Sequence, residues 1–223
     1  MLLNNPTEGI LSDSLAELLR VLNRMTPGRT GRALARSCSG VSVTQVNALL
    51  RRLERIGLVR SEPVPPAKQY FLNKNHALYA PLIAIAEARS EALTWLGENA
   101  QKLPGLVSAI LFGSVARREE THESDLDLLL VFDSEEVFSQ DDSDDAVLNK
   151  VFELDAAFFE RYGMPLGIIR FGPRALRANI PELSPLAQNI IREGKVLVGE
   201  GLAEILERLT VETASGDSPQ ASP

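Results

Sequence analysis

Asp125 and Asp127 stand two positions apart at the mouth of an apolar run, Leu128 to Phe132. Residues two apart on a strand share a face, so both carboxylates would point the same way. Like charges this close repel and shift each other's pKa unless a cation lies between them. Hard divalent cations such as Mg²⁺ prefer carboxylate and phosphate oxygens. Upstream, a second apolar run from Val107 to Phe112 ends at Gly113-Ser114. Glycine lets a backbone approach a ligand closely, and Ser114 offers a hydroxyl and an N–H to a phosphate. The elements that must hold these groups are two short strands, the second buried on both faces, joined by a polar, charged turn. Two solvated aspartates at a strand mouth are the plainer reading. That reading leaves the coincidence of glycine, serine, Arg117 and both aspartates unexplained.

The spacing is G-S-x10-D-x-D, carried by GSVARREETHESDLDL. It resembles the signature of the polymerase-β-like nucleotidyltransferase superfamily, G-S-x-A-R-G-x5-S-D-x-D-L, with one departure: Arg118 stands where the family usually has glycine. The resemblance implies that Gly113 and Ser114 hold a nucleoside triphosphate and that Asp125 and Asp127 hold Mg²⁺. The reaction it implies is in-line transfer of a nucleoside monophosphate to a hydroxyl, with release of pyrophosphate. Arg117 would contact phosphate, or brace the turn by pairing with Glu123 or Asp125. The family's usual third carboxylate is expected on a third strand, Leu166 to Phe171, and no residue there is acidic. That acid commonly acts on the attacking hydroxyl as base or metal ligand. Asp155, on the preceding helix, is a substitute with no special claim.

The 223 residues carry a net charge of −7, unevenly spread. Residues 1–78 hold 11 Lys and Arg against 5 Asp and Glu; residues 79–223 hold 12 against 25. A basic part joined to an acidic part points to two domains with different partners, and the basic one would attract nucleic acid. The single cysteine, Cys38, excludes an intramolecular disulfide and a cysteine zinc cluster, which fits a reducing, cytoplasmic setting. No apolar run is long enough to span a membrane, and no signal peptide is expected.

In the basic part, leucines 11, 15, 18, 19 and 22 recur at helical spacing, with Ser12 or Asp13 as cap. Thr30 caps a short helix through Arg36. Ser42 caps a longer one whose inner face is Val43, Val46, Leu49, Leu50, Leu53 and Ile56, ended by Gly57. Its outer face carries Thr44, Gln45, Ala48, Arg51, Arg52 and Arg55. Short strands are expected at Leu58–Arg60 and Gln69–Leu72, around a proline-rich loop, SEPVPPAK. This order, over TGRALARSCSGVSVTQVNALLRRLERIGLV and QYFLN, resembles a winged helix-turn-helix domain of small bacterial repressors. The resemblance implies duplex DNA as partner, with Thr44, Gln45, Arg51, Arg52 and Lys68 as contacts. Symmetric operators would call for a homodimer.

One helix is expected over residues 82–102, with His76 as a surface or capping residue before it. The acidic segment 134–145 reads as a solvated loop. A helix over residues 146–162 buries Val147, Val151, Leu154, Phe158 and Phe159. Short helices and a strand follow, then a helix over residues 202–209 and a low-complexity tail.

The fold expected is α+β. Residues 1–78 form the winged helix-turn-helix, 79–201 a linker helix and a nucleotidyltransferase domain with a small mixed sheet, and 202–223 a helix and disordered tail. The function expected is that of a DNA-binding transcriptional regulator that binds Mg-nucleotide, with an antitoxin-type role and a toxin or other protein partner among the expectations. The alternative is an active nucleotidyltransferase acting on a protein, RNA or small-molecule hydroxyl.

Overall fold

The computed structural model describes residues 7, 10–25, 27–117, 119, 121, 124–134, 146–179 and 184–216. Arg118, Glu123, the acidic segment from 135 to 145 and the tail beyond 216 lie outside the described residues. The chain divides into two compact units that meet between Glu91 and Ala92.

In the first unit, helix α1 (Asp13–Arg24) follows Ser12, whose side chain makes no capping bond. A two-residue strand β1 (Arg29–Thr30) leads into α2 (Gly31–Ser37), capped by the Thr30 hydroxyl, which accepts from Ala33 N–H. Helix α3 (Val43–Arg55) opens on a capping box: Ser42 accepts from Gln45 N–H and the Gln45 side chain accepts from Ser42 N–H. Gly57, at φ +80°, follows the last turn, the backbone conformation that favours glycine. Leu18, Leu19, Leu34, Val46, Leu50 and Leu58 form the core. Val43 and Ile56, expected on the inner face of α3, are instead 44% and 47% exposed. They sit at the two ends of the helix, away from the buried middle of its inner face, Val46, Leu50 and Leu53.

Strands β2 (Val59–Val64) and β3 (Ala67–Leu72) pair antiparallel, turning at Pro65-Pro66. The proline-rich segment is therefore mostly strand, not loop. β2 is an edge of the three-stranded sheet β1-β3-β2, and an edge strand tolerates proline because its outer N–H positions need no partner.

The helix expected over residues 82–102 is two helices, α4 (Tyr79–Ala86) and α5 (Ala88–Ala100). Arginines of α1 act at the break: Arg20 donates to the Ala86 carbonyl and Arg24 pairs with Glu87 at 2.8 Å. His76 caps as expected. Its Nδ1 accepts from Leu78 N–H, so Nε2 donates to the Ile56 carbonyl at the end of α3.

The second unit is built on a mixed sheet of order β6-β5-β4-β7. Strand β4 (Leu106–Leu111) runs into a five-residue helix α6 (Gly113–Arg117) where a turn was expected. Strand β5 (Leu126–Phe132) is antiparallel to β4; helix α7 (Ala146–Tyr162) then crosses to β6 (Leu166–Phe171), parallel to β5. Helices α8 (Pro173–Asn179) and α9 (Pro185–Glu193), strand β7 (Lys195–Gly199) and helix α10 (Leu202–Gly216) complete it. α10 continues seven residues past Leu209, into what composition marks as tail.

Alternation along β5 explains the layering. Leu128, Leu130 and Phe132 pack with α5 and α7; Leu129 and Val131 pack with α8, α9 and α10. Every residue from Leu128 to Phe132 is buried. On α7, Phe158 is buried but Phe159 is 55% exposed, because the next residue turns about 100° away from the sheet.

Candidate functional site

β4 ends at Leu111, and Gly113 takes φ +72° to start α6. A β-carbon on Gly113 would overlap the Asp127 carboxylate, so glycine is required twice over, by backbone and by space. The Phe112 N–H donates to the Asp127 carbonyl at 3.0 Å, fixing the turn against β5. Ser114 lies beside Gly113, half-buried, with no side-chain hydrogen bond among the described residues. Thr121 N–H donates to Ser124 Oγ at 2.9 Å, closing the turn that delivers Asp125. The structure therefore brings Gly113, Ser114, Asp125 and Asp127 together, as the spacing predicts.

Asp127 is half-buried and Asp125 is exposed. Burial pushes the Asp127 carboxyl above the usual carboxylate range; the Asp125 charge pushes the same way, and Arg117 opposes both. Neither carboxylate accepts a side-chain hydrogen bond among the described residues. A half-buried carboxylate with a like charge beside it and no donor is an acceptor that a cation would satisfy. The pair therefore fits a hard divalent ion completed by phosphate oxygens. Among the described residues no group of three or more His, Cys, Asp or Glu could hold a metal by itself.

The third-acid position is resolved by register. Asp127 pairs with Gly167 across the parallel β5–β6 ladder. A β-carbon on Gly167 would lie 3.2 Å from Asp127 Oδ1 and 3.7 Å from Asp125 Cβ. Glycine thus fills the place from which a side chain would reach both aspartates. Asp155 is engaged elsewhere: its Oδ1 accepts from Leu166 N–H at 2.8 Å, capping the start of β6.

Arg117 makes no ion pair with Asp125 among the described residues, and Glu123 lies outside them. Its Nε donates to Glu119 at 2.8 Å, and its Nη1 lies 3.4 Å from Glu193 on α9. Hydrogen bonds from Arg192 first, and then from Arg117, hold the Glu193 carboxyl below its ordinary range. Glu193 is the residue sequence reasoning missed. It lies 76 positions from Arg117, and only tertiary packing brings the two together.

Residues 96–200 match the family described as Polymerase beta, Nucleotidyltransferase. The second unit carries a nucleotidyltransferase-like domain. No curated protein matches the chain. Among solved structures, a toxin–antitoxin crystal structure with AMP-PNP is 20% identical, covering 56% of this chain and 84% of that one at a TM-score of 0.35. A mutant of the toxin–antitoxin MntA-HpeT is 18% identical over the same shares, also at 0.35. TrmBL2, an archaeal chromatin protein, is 14% identical and covers 98% of both chains at 0.29.

The residues expected to meet DNA lie in the first unit, apart from the nucleotidyltransferase-like domain. Thr44, Gln45, Arg51 and Arg52 are all exposed on α3. The Gln45 side-chain carbonyl is used by the capping box at 2.9 Å, leaving its amide NH₂ to face outward contacts. Lys68, on β3, sits 3.9 Å from Glu54, which also accepts from the Ser61 hydroxyl. A groove of about 470 Å³ between α2, α3 and β3 is lined by Arg32, Asn47, Lys68 and Tyr70 among others. Arg32 and Asn47 are not among the contacts expected from the sequence.

Proposed function

We propose that the chain is a DNA-binding transcriptional regulator whose nucleotidyltransferase-like domain binds Mg-nucleotide at Gly113, Ser114, Asp125 and Asp127. The observation that carries the reading is Gly113 pressed against the Asp127 carboxylate, which puts a phosphate-holding turn beside two unsatisfied acids. In this reading Ser114 donates to a phosphate oxygen, and Asp125 and Asp127 hold the cation. Mg²⁺ would supply charge neutralisation for the triphosphate. Arg117 would meet phosphate through Nη2, while Nε and Nη1 stay on Glu119 and Glu193.

The three helices and antiparallel wing of the first unit support the winged helix-turn-helix reading. Arg51 and Arg52 lie on the polar face of α3, where they would meet a duplex, and Lys68 on the wing would meet phosphate. Residues 1–78 serve as the DNA-binding part and 79–201 as the nucleotidyltransferase part with its linker. A homodimer on a symmetric operator and a toxin or other protein partner belong to the same proposal, in the cytoplasm.

Glycine at position 167 sets the catalytic expectation. An attacking hydroxyl lacks its usual activator, and general-base help is typically about 10²–10⁴-fold in rate. Transfer is therefore slow or absent while binding survives. The alternative, an active nucleotidyltransferase, is kept by the intact Asp125–Asp127 pair. Incubating the pure protein with labelled nucleoside triphosphates, Mg²⁺ and cell extract decides between them. The regulator reading expects no labelled acceptor; transfer at about 1 s⁻¹ or faster would establish the enzyme.

A further inference from the structure

A cavity of about 250 Å³ opens between α5 and α7, on the face of the sheet that Asp127 does not share. Its apolar walls are Trp95, Leu103, Leu154 and Ala157, and its polar lining is Asn99, Lys102, Lys150 and Glu153. Trp95 is held in place by Phe158 at 6.0 Å and, edge-on, by Tyr162 at 5.9 Å between ring centres. The Asn99 amide is also fixed: Nδ2 donates to the Trp95 carbonyl at 2.7 Å, and Oδ1 accepts from the Lys102 ammonium at 3.0 Å. Lys150 and Glu153 differ. They are three apart on α7, yet neither makes a hydrogen bond or ion pair among the described residues. With Lys102 held on Asn99, the half-apolar cleft keeps one cation and one anion that make no other polar contact among the described residues, an arrangement complementary to a zwitterion.

We propose that this cavity binds a free aliphatic α-amino acid, with Lys150 taking the carboxylate, Glu153 the ammonium, and Leu103, Leu154 and Trp95 covering the side chain. Residues three apart on a helix have β-carbons about 5–6 Å apart, so both charges of one small zwitterion are within reach. Each contact is charge-assisted on both sides, the stronger kind of hydrogen bond. A plain carboxylate would leave Glu153 facing its anion, and a plain amine would leave Lys150 facing its cation. The volume, below the about 300–1,000 Å³ of ordinary ligand pockets, suits a ligand of leucine's size. This site shares no residue with the nucleotide site, so either can fail without the other.

Trp95 is the single tryptophan of the chain, so its fluorescence reports this cavity alone. The full-length protein is titrated with L-leucine, 4-methylpentanoate and 3-methylbutylamine, with equilibrium dialysis of radiolabelled leucine as a second readout. The expected result is saturable leucine binding, with both single-charge analogues at least about tenfold weaker. Lys150→Met and Glu153→Gln each weaken leucine about tenfold. Glu153→Gln tightens 4-methylpentanoate and Lys150→Met tightens the amine, because each removes the like charge that opposes that ligand. Both side chains are exposed, and unchanged melting curves confirm that the variants fold. The proposal is overturned if dialysis shows no saturable leucine binding, if all three ligands bind alike, or if neither substitution affects leucine.

Discussion

Asp127 is where sequence, packing and charge meet. Its carboxyl is pushed up chiefly by burial, with Asp125 adding to it, so the folded protein holds the proton more tightly than the unfolded chain does. Stability from this group is full below the unfolded carboxylate range and is lost as pH rises through the raised folded value. Asp127→Asn should therefore raise the melting temperature in EDTA at neutral pH, and the gain should vanish in acid. Melts across pH check this; a variant less stable at neutral pH would show that the carboxylate has a donor. Gly113→Ala should do the reverse. Non-glycine residues at positive φ cost about 1–3 kcal/mol, and the new β-carbon must also displace Asp127. Denaturant melts read that loss. Gly113, Ser114 and both aspartates were legible from spacing alone. The Arg117 partner Glu193 was not, because nothing local couples residues so far apart in sequence.

At the scale of elements, the apolar runs that became β4, β5 and β6 were readable because each is short, apolar and bounded by turn residues. Three elements were not. Helix α6 is too short to show a period. The Pro-rich β2 reads as loop until its edge position is known. The break between α4 and α5 is set by arginines of α1, which no local pattern contains. Two predictions belong here. Asp155→Ala removes the acceptor for Leu166 N–H, and an orphaned buried donor costs about 1–3 kcal/mol. Denaturant melting should show that loss, since β6 begins at this bond. Arg51→Ala with Arg52→Ala on α3 should weaken duplex binding and flatten its salt dependence, by about one unit of log–log slope for each phosphate contact removed. An unchanged slope in binding titrations would take these two arginines off the DNA.

Across the whole molecule, charge and core are both divided. The basic excess and one hydrophobic core lie in the first unit; the acidic excess and two cores flanking one sheet lie in the second. The charge asymmetry points to two parts in sequence, and the helix expected over residues 82–102 runs across residues 91 and 92, as α5 does. No helix among the described residues is long and apolar enough to cross a membrane. Separate cores should melt as separate transitions in a calorimeter, and a ligand that binds one folded unit raises only that unit's transition. Mg-nucleotide is expected to move one transition and duplex DNA the other.

Asp125 and Asp127, with glycine at position 167, are expected to bind nucleotide through a divalent cation. Isothermal titration of the intact protein with a non-hydrolysable nucleoside triphosphate tests it most directly, run with Mg²⁺ and with EDTA, on wild type and on Asp125→Asn with Asp127→Asn. The double change keeps the shape and removes the charges. The account predicts binding by wild type that requires Mg²⁺ and is abolished in the double variant. Equal affinity for the two proteins, or binding indifferent to Mg²⁺, would contradict it.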